Sequence, residues 1–251
     1  IRFWKKSYFS WKIFSEKCSP EKLKNFDNEF KHDENLYEFL ATNGYLGLGI
    51  NEKLSGSGED LYDLGILFEC LGFHAAPLCL TGCLVYVAQT LQKFSKNDNH
   101  QSIVSSITKG EIYTSAILEP LNHDPENPTT TAVFDDDKII ISGTKYLSEI
   151  SSLAKGILIS ASSNKGVILA LVKTDNVKLT QLTSTANSPL FKVELKNVSI
   201  EESDVVHEEG RGLEALKYLL QINMVMRSYI ALGVTNKMTS LIASYTSELH
   251  Q

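Results

Sequence analysis

The stretch Tyr113–Lys145 constrains the fold most. An apolar run from Tyr113 ends at Glu119-Pro120, where proline removes the ladder N–H and holds the preceding residue extended. Leu121 to Thr129 holds two further prolines and no periodicity, so it reads as a crossing loop. A hairpin is expected next: Thr130 to Phe134, a turn at Asp135-Asp136-Asp137, then Lys138 to Ser142, with a second turn at Gly143 before Lys145. Helical periodicity lies before and after this region, so the β segment is an insert between helical parts.

Before the insert, Pro20 opens a helix running to Asn28 or beyond. Asp33 is the expected N-cap of a helix carrying Leu36, Phe39 and Leu40, stopped at Asn43-Gly44. The turn Asn51–Gly58 is glycine-rich but lacks a preceding strand and the G-K-[ST] ending of a phosphate loop, so it reads as a tight turn. Leu61, Leu64, Phe68 and Leu71 follow at helical spacing, with Glu59 and Asp60 in the first turn and Gly72 as the stop. A helix near Pro77 carries Leu80, Leu84, Val87 and Leu91. A polar loop from Ser95 to His100 then precedes a helix Ser102–Thr108.

After Lys145, strands are expected at Lys155–Ser162, Lys165–Val172, Val177–Leu182 and Pro189–Leu195. Leu213 to Glu248 reads as one long helix whose apolar face, Leu216, Leu219, Leu220 and Ile230, needs partners outside this chain. The fold class expected is multi-domain α and β. An N-terminal all-α domain spans 1–111, a middle antiparallel β-barrel or sandwich 112–206, and the start of a C-terminal helical bundle 207–251. The chain begins at Ile1 and ends at Gln251 inside a helical pattern, which reads as a piece of a longer protein.

Of the 251 residues, 43% are hydrophobic, enough for a sizeable core. A net charge of −6 gives no general electrostatic attraction to nucleic acid or an anionic membrane, and no run of ~18 apolar residues reads as a membrane span. The basic residues Arg2, Lys5, Lys6, Lys12 and Lys17, among Trp4, Phe9, Trp11 and Phe14, read as a solvated helix face rather than a transit peptide. Cys18, Cys70, Cys79 and Cys83 read as reduced core thiols of a cytoplasmic protein, without a metal site. His74 reads as a helix-end residue, His123 and His207 as isolated loop histidines, Asp135–Asp137 as a solvated turn and Arg211 as a surface residue.

The order of these motifs resembles the acyl-CoA dehydrogenase family. Its strand-end signature T-E-P-x-x-G-S-D corresponds to Leu118-Glu119-Pro120-Leu121-Asn122-His123-Asp124, and its N-G-x-K-x-W-I-[ST] to Ser142-Gly143-Thr144-Lys145-Tyr146-Leu147-Ser148-Glu149. Gly110-Glu111 before the strand, the glycines Gly56 and Gly58 after Glu52, Val193–Val198, and Arg227 with Ala231-Leu232-Gly233 are similar to further family motifs.

The resemblance implies FAD held between the β domain and the C-terminal helices. It implies α,β-dehydrogenation of an acyl thioester on CoA or an acyl-carrier protein, in a homodimer or homotetramer. A glutamate removes the α-proton while hydride passes to the flavin. That glutamate is expected beyond Gln251, so no catalytic residue is assigned and the electron acceptor is left open. The flavin-facing residues implied are the backbone of Ile117 and Leu118 and, with a one-residue bulge, the hydroxyl of Ser148. The family threonine is Leu118 here, its G-S-D serine falls at Asp124, its aromatic at Leu147 and its last hydroxyl at Glu149. The alternative is a catalytically degenerate member acting as a binding or assembly subunit. A flavin monooxygenase or oxidase on the same fold is a third reading.

Overall fold

The computed structural model describes residues 11–27, 32–58, 60–185 and 188–249. Trp4, Phe9, Arg2, Lys5, Lys6, Asn28 and Glu59, singled out above, lie outside these. The N-terminal region is helical: α1 (residues 11–17), α2 (Pro20–Asp27), α3 (Glu34–Thr42) and α4 (Leu61–Phe73). Next come α5 (Thr81–Ala88 wound as a π-helix, continuing as α-helix Gln89–Phe94) and α6 (Asp98–Ile107). Local chemistry sets the ends. Asp33 accepts from the Leu36 amide at 2.9 Å and starts α3, and Gly44 at φ +76° lets the chain turn away after it. Asp60 accepts from Tyr62 and Asp63 and is the N-cap of α4. Asn97 caps α6, which starts at Asp98 rather than Ser102, so the polar run Ser95–His100 is partly the first turn of that helix.

Seven strands form one mixed, curled sheet: β1 (Thr114–Ala116), β2 (Thr131–Asp135), β3 (Lys138–Glu149), β4 (Gly156–Ser163), β5 (Gly166–Lys173), β6 (Lys178–Leu182) and β7 (Leu190–Glu201). The order is β1-β4-β2-β3-β7-β6, with β5 also on β4. Most pairings are antiparallel, but β1 and β2 each lie parallel to β4. In β4, Ile157, Ile159 and Ala161 face the interior of the curled sheet while Leu158 faces the helices. Both faces are buried, which explains its continuous apolar run.

Gly143 does not make the expected turn: it lies inside the twelve-residue β3, paired with Leu195. A Cβ there would meet Thr130 Oγ1 at 2.5 Å and Thr130 Cα at 2.8 Å, so the close approach of two backbones needs glycine. Two bulges interrupt the β3–β7 ladder. One adds a residue to β7 beside Asn197 (φ +52°); the other adds one to β3 at Leu147 (φ +57°).

A 38-residue helix, α7 (Gly212–Leu249), follows the sheet. The face expected to need outside partners finds them within the chain. Leu216 and Leu219 are fully buried, with Leu220 and Ile230 packed against the same core. Their neighbours are α4, α5 and β5. Gly72 belongs to α4, which ends at Phe73, and packs against the Ile230 carbonyl. The second half of α7 instead exposes Leu232, Met238, Leu241, Ile242 and Tyr245.

Candidate functional site

The site begins with a buried ion pair. β1 leads through Ile117 to Glu119, and Lys145 stands on β3. Their side chains are 2% and 0% exposed, with Lys145 Nζ 2.8 Å from Glu119 Oε1. The carboxylate is saturated: Oε1 also accepts from the Thr130 amide (2.8 Å), and Oε2 from the Thr129 amide (2.6 Å), the Thr129 hydroxyl (2.7 Å) and Asn122 Nδ2 (2.9 Å). Lys145 also donates to Ser160 Oγ at 3.0 Å and the Ile117 carbonyl at 3.4 Å. Burial opposes charge on Glu119, yet the Lys145 ammonium and the Thr130, Thr129 and Asn122 donors outweigh it and hold the carboxyl far below its usual range. Burial pushes the Lys145 ammonium down to about 8 even with Glu119 beside it. With five donors on one carboxylate, the ionised pair is the state the geometry supports. Its work is to lock the end of β1, the start of the β2 hairpin and β3 together, and the Tyr146 amide adds a 2.8 Å bond to the Leu118 carbonyl.

Beside this clamp a cleft of about 260 Å³ opens where the sheet meets α5 and α7. Ile117 and Leu118 form one side, Tyr146, Leu147 and Glu149 another, and Tyr86, Leu190 and Arg227 close it. The bulge at Leu147 turns the end of β3. It places Glu149 on the cleft and Ser148 in the interior, 1% exposed. The Ser148 hydroxyl donates to the Ser115 carbonyl at 2.7 Å and accepts from Ser151 Oγ at 2.7 Å. Its role is to tie β1 to β3, and the charged side chain β3 gives to the cleft is Glu149.

Glu149 Oε1 accepts from Arg227 Nη2 of α7 at 3.1 Å, while the buried Oε2 has no hydrogen-bond partner among the described residues. Burial raises the carboxyl above its ordinary value, against the pull of Arg227 and then of the Gly82 amide. The same burial pushes the Tyr86 phenol up to about 12, so it stays neutral. Neither the Arg227 partnership, 78 residues from Glu149, nor the contribution of α5 had a signal in the sequence.

Other singled-out residues lie apart from the cleft. Asp124 is exposed and closes its own loop, accepting from the Glu126 amide at 3.1 Å and Asn127 Nδ2 at 2.6 Å. His74 is the C-cap of α4 and stacks against Phe14. His207 Nε2 accepts from the Leu169 amide at 3.0 Å, tying the chain before α7 to β5. Arg211 pairs with Glu214 on the surface. The turn after Asn51 is held by the Asn51 side chain on the Lys53 amide, and Gly58 takes φ +71°. The four cysteines are free thiols, and burial raises Cys18 and Cys83 to about 11 and Cys70 to about 12. Among the described residues no group of three or more His, Cys, Asp or Glu could hold a metal ion, and no helix is long and apolar enough to cross a membrane.

A helical layer, a curled mixed sheet and a long helix meeting at an apolar cleft define the acyl-CoA dehydrogenase type of fold. Comparison with known proteins agrees. Acyl-CoA dehydrogenase FadE28 of Mycobacterium tuberculosis is 23% identical over 170 residues, covering 68% of this chain and 48% of FadE28. The mitochondrial short-chain specific acyl-CoA dehydrogenase of Bos taurus is 26% identical over 241 residues, 87% of this chain and 57% of that protein. The ChsE4-ChsE5 complex of M. tuberculosis superposes with a TM-score of 0.87 at 21% identity over 96% of this chain and 65% of that one. A glutaryl-CoA dehydrogenase of Mycobacterium smegmatis, solved with FADH2, gives 0.82 at 17% identity over 91% and 61%. No family model matches. In sequence the chain is similar to acyl-CoA dehydrogenases, and it shares their fold. It spans about half of FadE28 and less than two thirds of the bovine enzyme.

Proposed function

We propose that this chain is the flavin-binding part of a dehydrogenase that removes hydrogens from the α and β carbons of an acyl thioester. The observation that carries the reading is the cleft itself: apolar side chains from the end of β1, β3, α5 and β7, converging beside a strand end locked by Glu119 and Lys145. The residues fit a planar ring. Ile117, Leu118 and Leu147 with Tyr86 and Leu190 would flank it, and the backbone of Ile117 and Leu118 would face its polar edge. Bound FAD supplies the hydride acceptor. The chain's own part is to hold the ring, keep water from it and set the charge around it through Glu149 and Arg227. The substrate class is an acyl thioester on CoA or an acyl-carrier protein. On this reading the proton-abstracting glutamate lies beyond Gln251, the assembly is a homodimer or homotetramer, and the free thiols fit the cytoplasm.

Two observations favour a second reading, a non-catalytic binding or assembly subunit. Glu149 places a carboxyl group in the cleft at the position of a family hydroxyl, and a similar fold was solved as a complex of two named chains.

The visible absorption spectrum of the purified full-length protein separates the two. Bands near ~370 and ~450 nm at close to one flavin per chain, bleached by an acyl-CoA, are expected of the dehydrogenase. A protein that stays colourless after incubation with excess FAD overturns it in favour of the subunit.

A further inference from the structure

Glu149 is the acidic side chain among the residues lining the cleft, and its two oxygens differ. Oε1 is held by Arg227, while Oε2 is buried with no partner among the described residues. An ionised carboxylate only accepts hydrogen bonds; a protonated one donates one through its O–H. The polar edge of an oxidised flavin is mostly acceptor, so an ionised Glu149 would meet it as acceptor against acceptor and charge against lone pair. Protonated on Oε2, the same side chain offers a donor and keeps its bond from Arg227.

Resting on the flavin reading above, we propose that Glu149 enters the complex as a neutral acid: when an acceptor-edged ring fills the cleft, Oε2 takes up one proton and donates it as a hydrogen bond. Glu149 is then the ligand-contacting donor on this wall.

The groups facing Glu149 allow this. Arg227 of α7 is the cation beside it, and its guanidinium is half exposed and screened by solvent. Tyr86 on α5 and Cys79 just before it both feel the Glu149 charge, and burial keeps each protonated and neutral. The Gly82 amide of α5 opposes protonation, and burial of the carboxyl outweighs it. The proton comes from solvent, no bond to carbon changes, and no redox partner is needed.

The test is FAD binding to the purified protein from about pH 5 to about pH 9, by flavin fluorescence and by calorimetry in two buffers of different ionisation heat. Wild type is expected to take up close to one proton per flavin above the Glu149 pKa, with affinity falling about tenfold per pH unit there. Glu149→Gln, which carries a donor at every pH, is expected to bind FAD with a flat profile and no linked proton. FAD bound by wild type without proton uptake, or an equal slope in Glu149→Gln, overturns the role of Glu149 and leaves the flavin reading standing. Absence of FAD binding in both proteins at every pH overturns the flavin reading, and this inference with it.

Discussion

At the scale of single residues, Lys145 and Glu119 show what one buried charge costs when its partner is removed. Lys145→Met leaves Glu119 buried with its neutral donors and no cation, and a stability loss of about 3–5 kcal/mol is expected in urea unfolding. Glu119→Gln added to Lys145→Met removes the stranded charge and should recover part of the loss. A single mutant within ~1 kcal/mol of wild type would show that the pair does not hold the strand end. The pair also fixes a pH dependence. Glu119 titrates lower in the folded protein than in the unfolded chain, so its contribution is present above the unfolded carboxyl value and is lost as pH falls below it.

His32 acts in a higher window. Its Nδ1 accepts from the Cys79 amide at 3.2 Å, and burial lowers its pKa from 6.5 to about 4. The unfolded chain protonates first, so stability should fall as pH drops from about 6.5 towards 4, by at most about 3 kcal/mol. His32→Asn keeps an acceptor on that amide and removes the titration. Guanidinium unfolding at stepped pH should show a shallower slope for it; an unchanged slope would assign the loss to other groups.

At the scale of elements, the contact between α4 and α7 depends on glycine. A Cβ on Gly72 would sit 2.1 Å from the Ile230 carbonyl oxygen, and one on Gly233 2.1 Å from that of Glu69. Both obstacles are backbone, so the helices would have to separate. Alanine favours an isolated helix by about 1 kcal/mol over glycine. Here Gly72→Ala and Gly233→Ala are each expected to destabilise by about 1–3 kcal/mol through overpacking, read as a lower melting temperature. A higher melting temperature in either would mean that the helices have room to move.

The same elements show what could be read from the residues alone. Helix positions followed from apolar spacing and caps such as Asp33. The strand that ends at Glu119-Pro120 followed from proline chemistry, which is local. Gly143 was misread because a lone glycine marks both a turn and a close backbone approach, and only the position of Thr130 decides between them. The face of Leu216 and Leu219 was recognised as apolar, but the elements that α7 packs against, α4, α5 and β5, lie far off in sequence, and periodicity carries no information about which surface covers a stripe. The cleft followed the same rule. Ile117 and Leu118 were accessible through the strand end, whereas the exchange of Ser148 for Glu149 as the lining residue depended on a bulge, and Arg227 on a tertiary contact.

At the scale of the whole molecule, α7 divides into two stretches under different physical control. From Ala215 to Met226 it carries core residues, and contacts reach a little further through Tyr229, Ile230, the close approach of Gly233, and Asn236 on Glu69 at 3.2 Å. Beyond Met238 every residue whose side chain is described is exposed. A helix segment of this length without tertiary packing is marginal in water, because most helical stability comes from a buried face. Native-state hydrogen exchange of this chain should therefore split the helix. Amides from about Ala215 to Asn236 should exchange through openings comparable to global unfolding, and those beyond Met238 through local fraying at a small fraction of that free energy. The boundary matters for the cleft, because Arg227 lies in the protected half and its hold on Glu149 does not depend on the frayed half. Uniform protection along the whole of α7 would contradict this division and show that the exposed face of Leu241, Ile242 and Tyr245 is covered in solution.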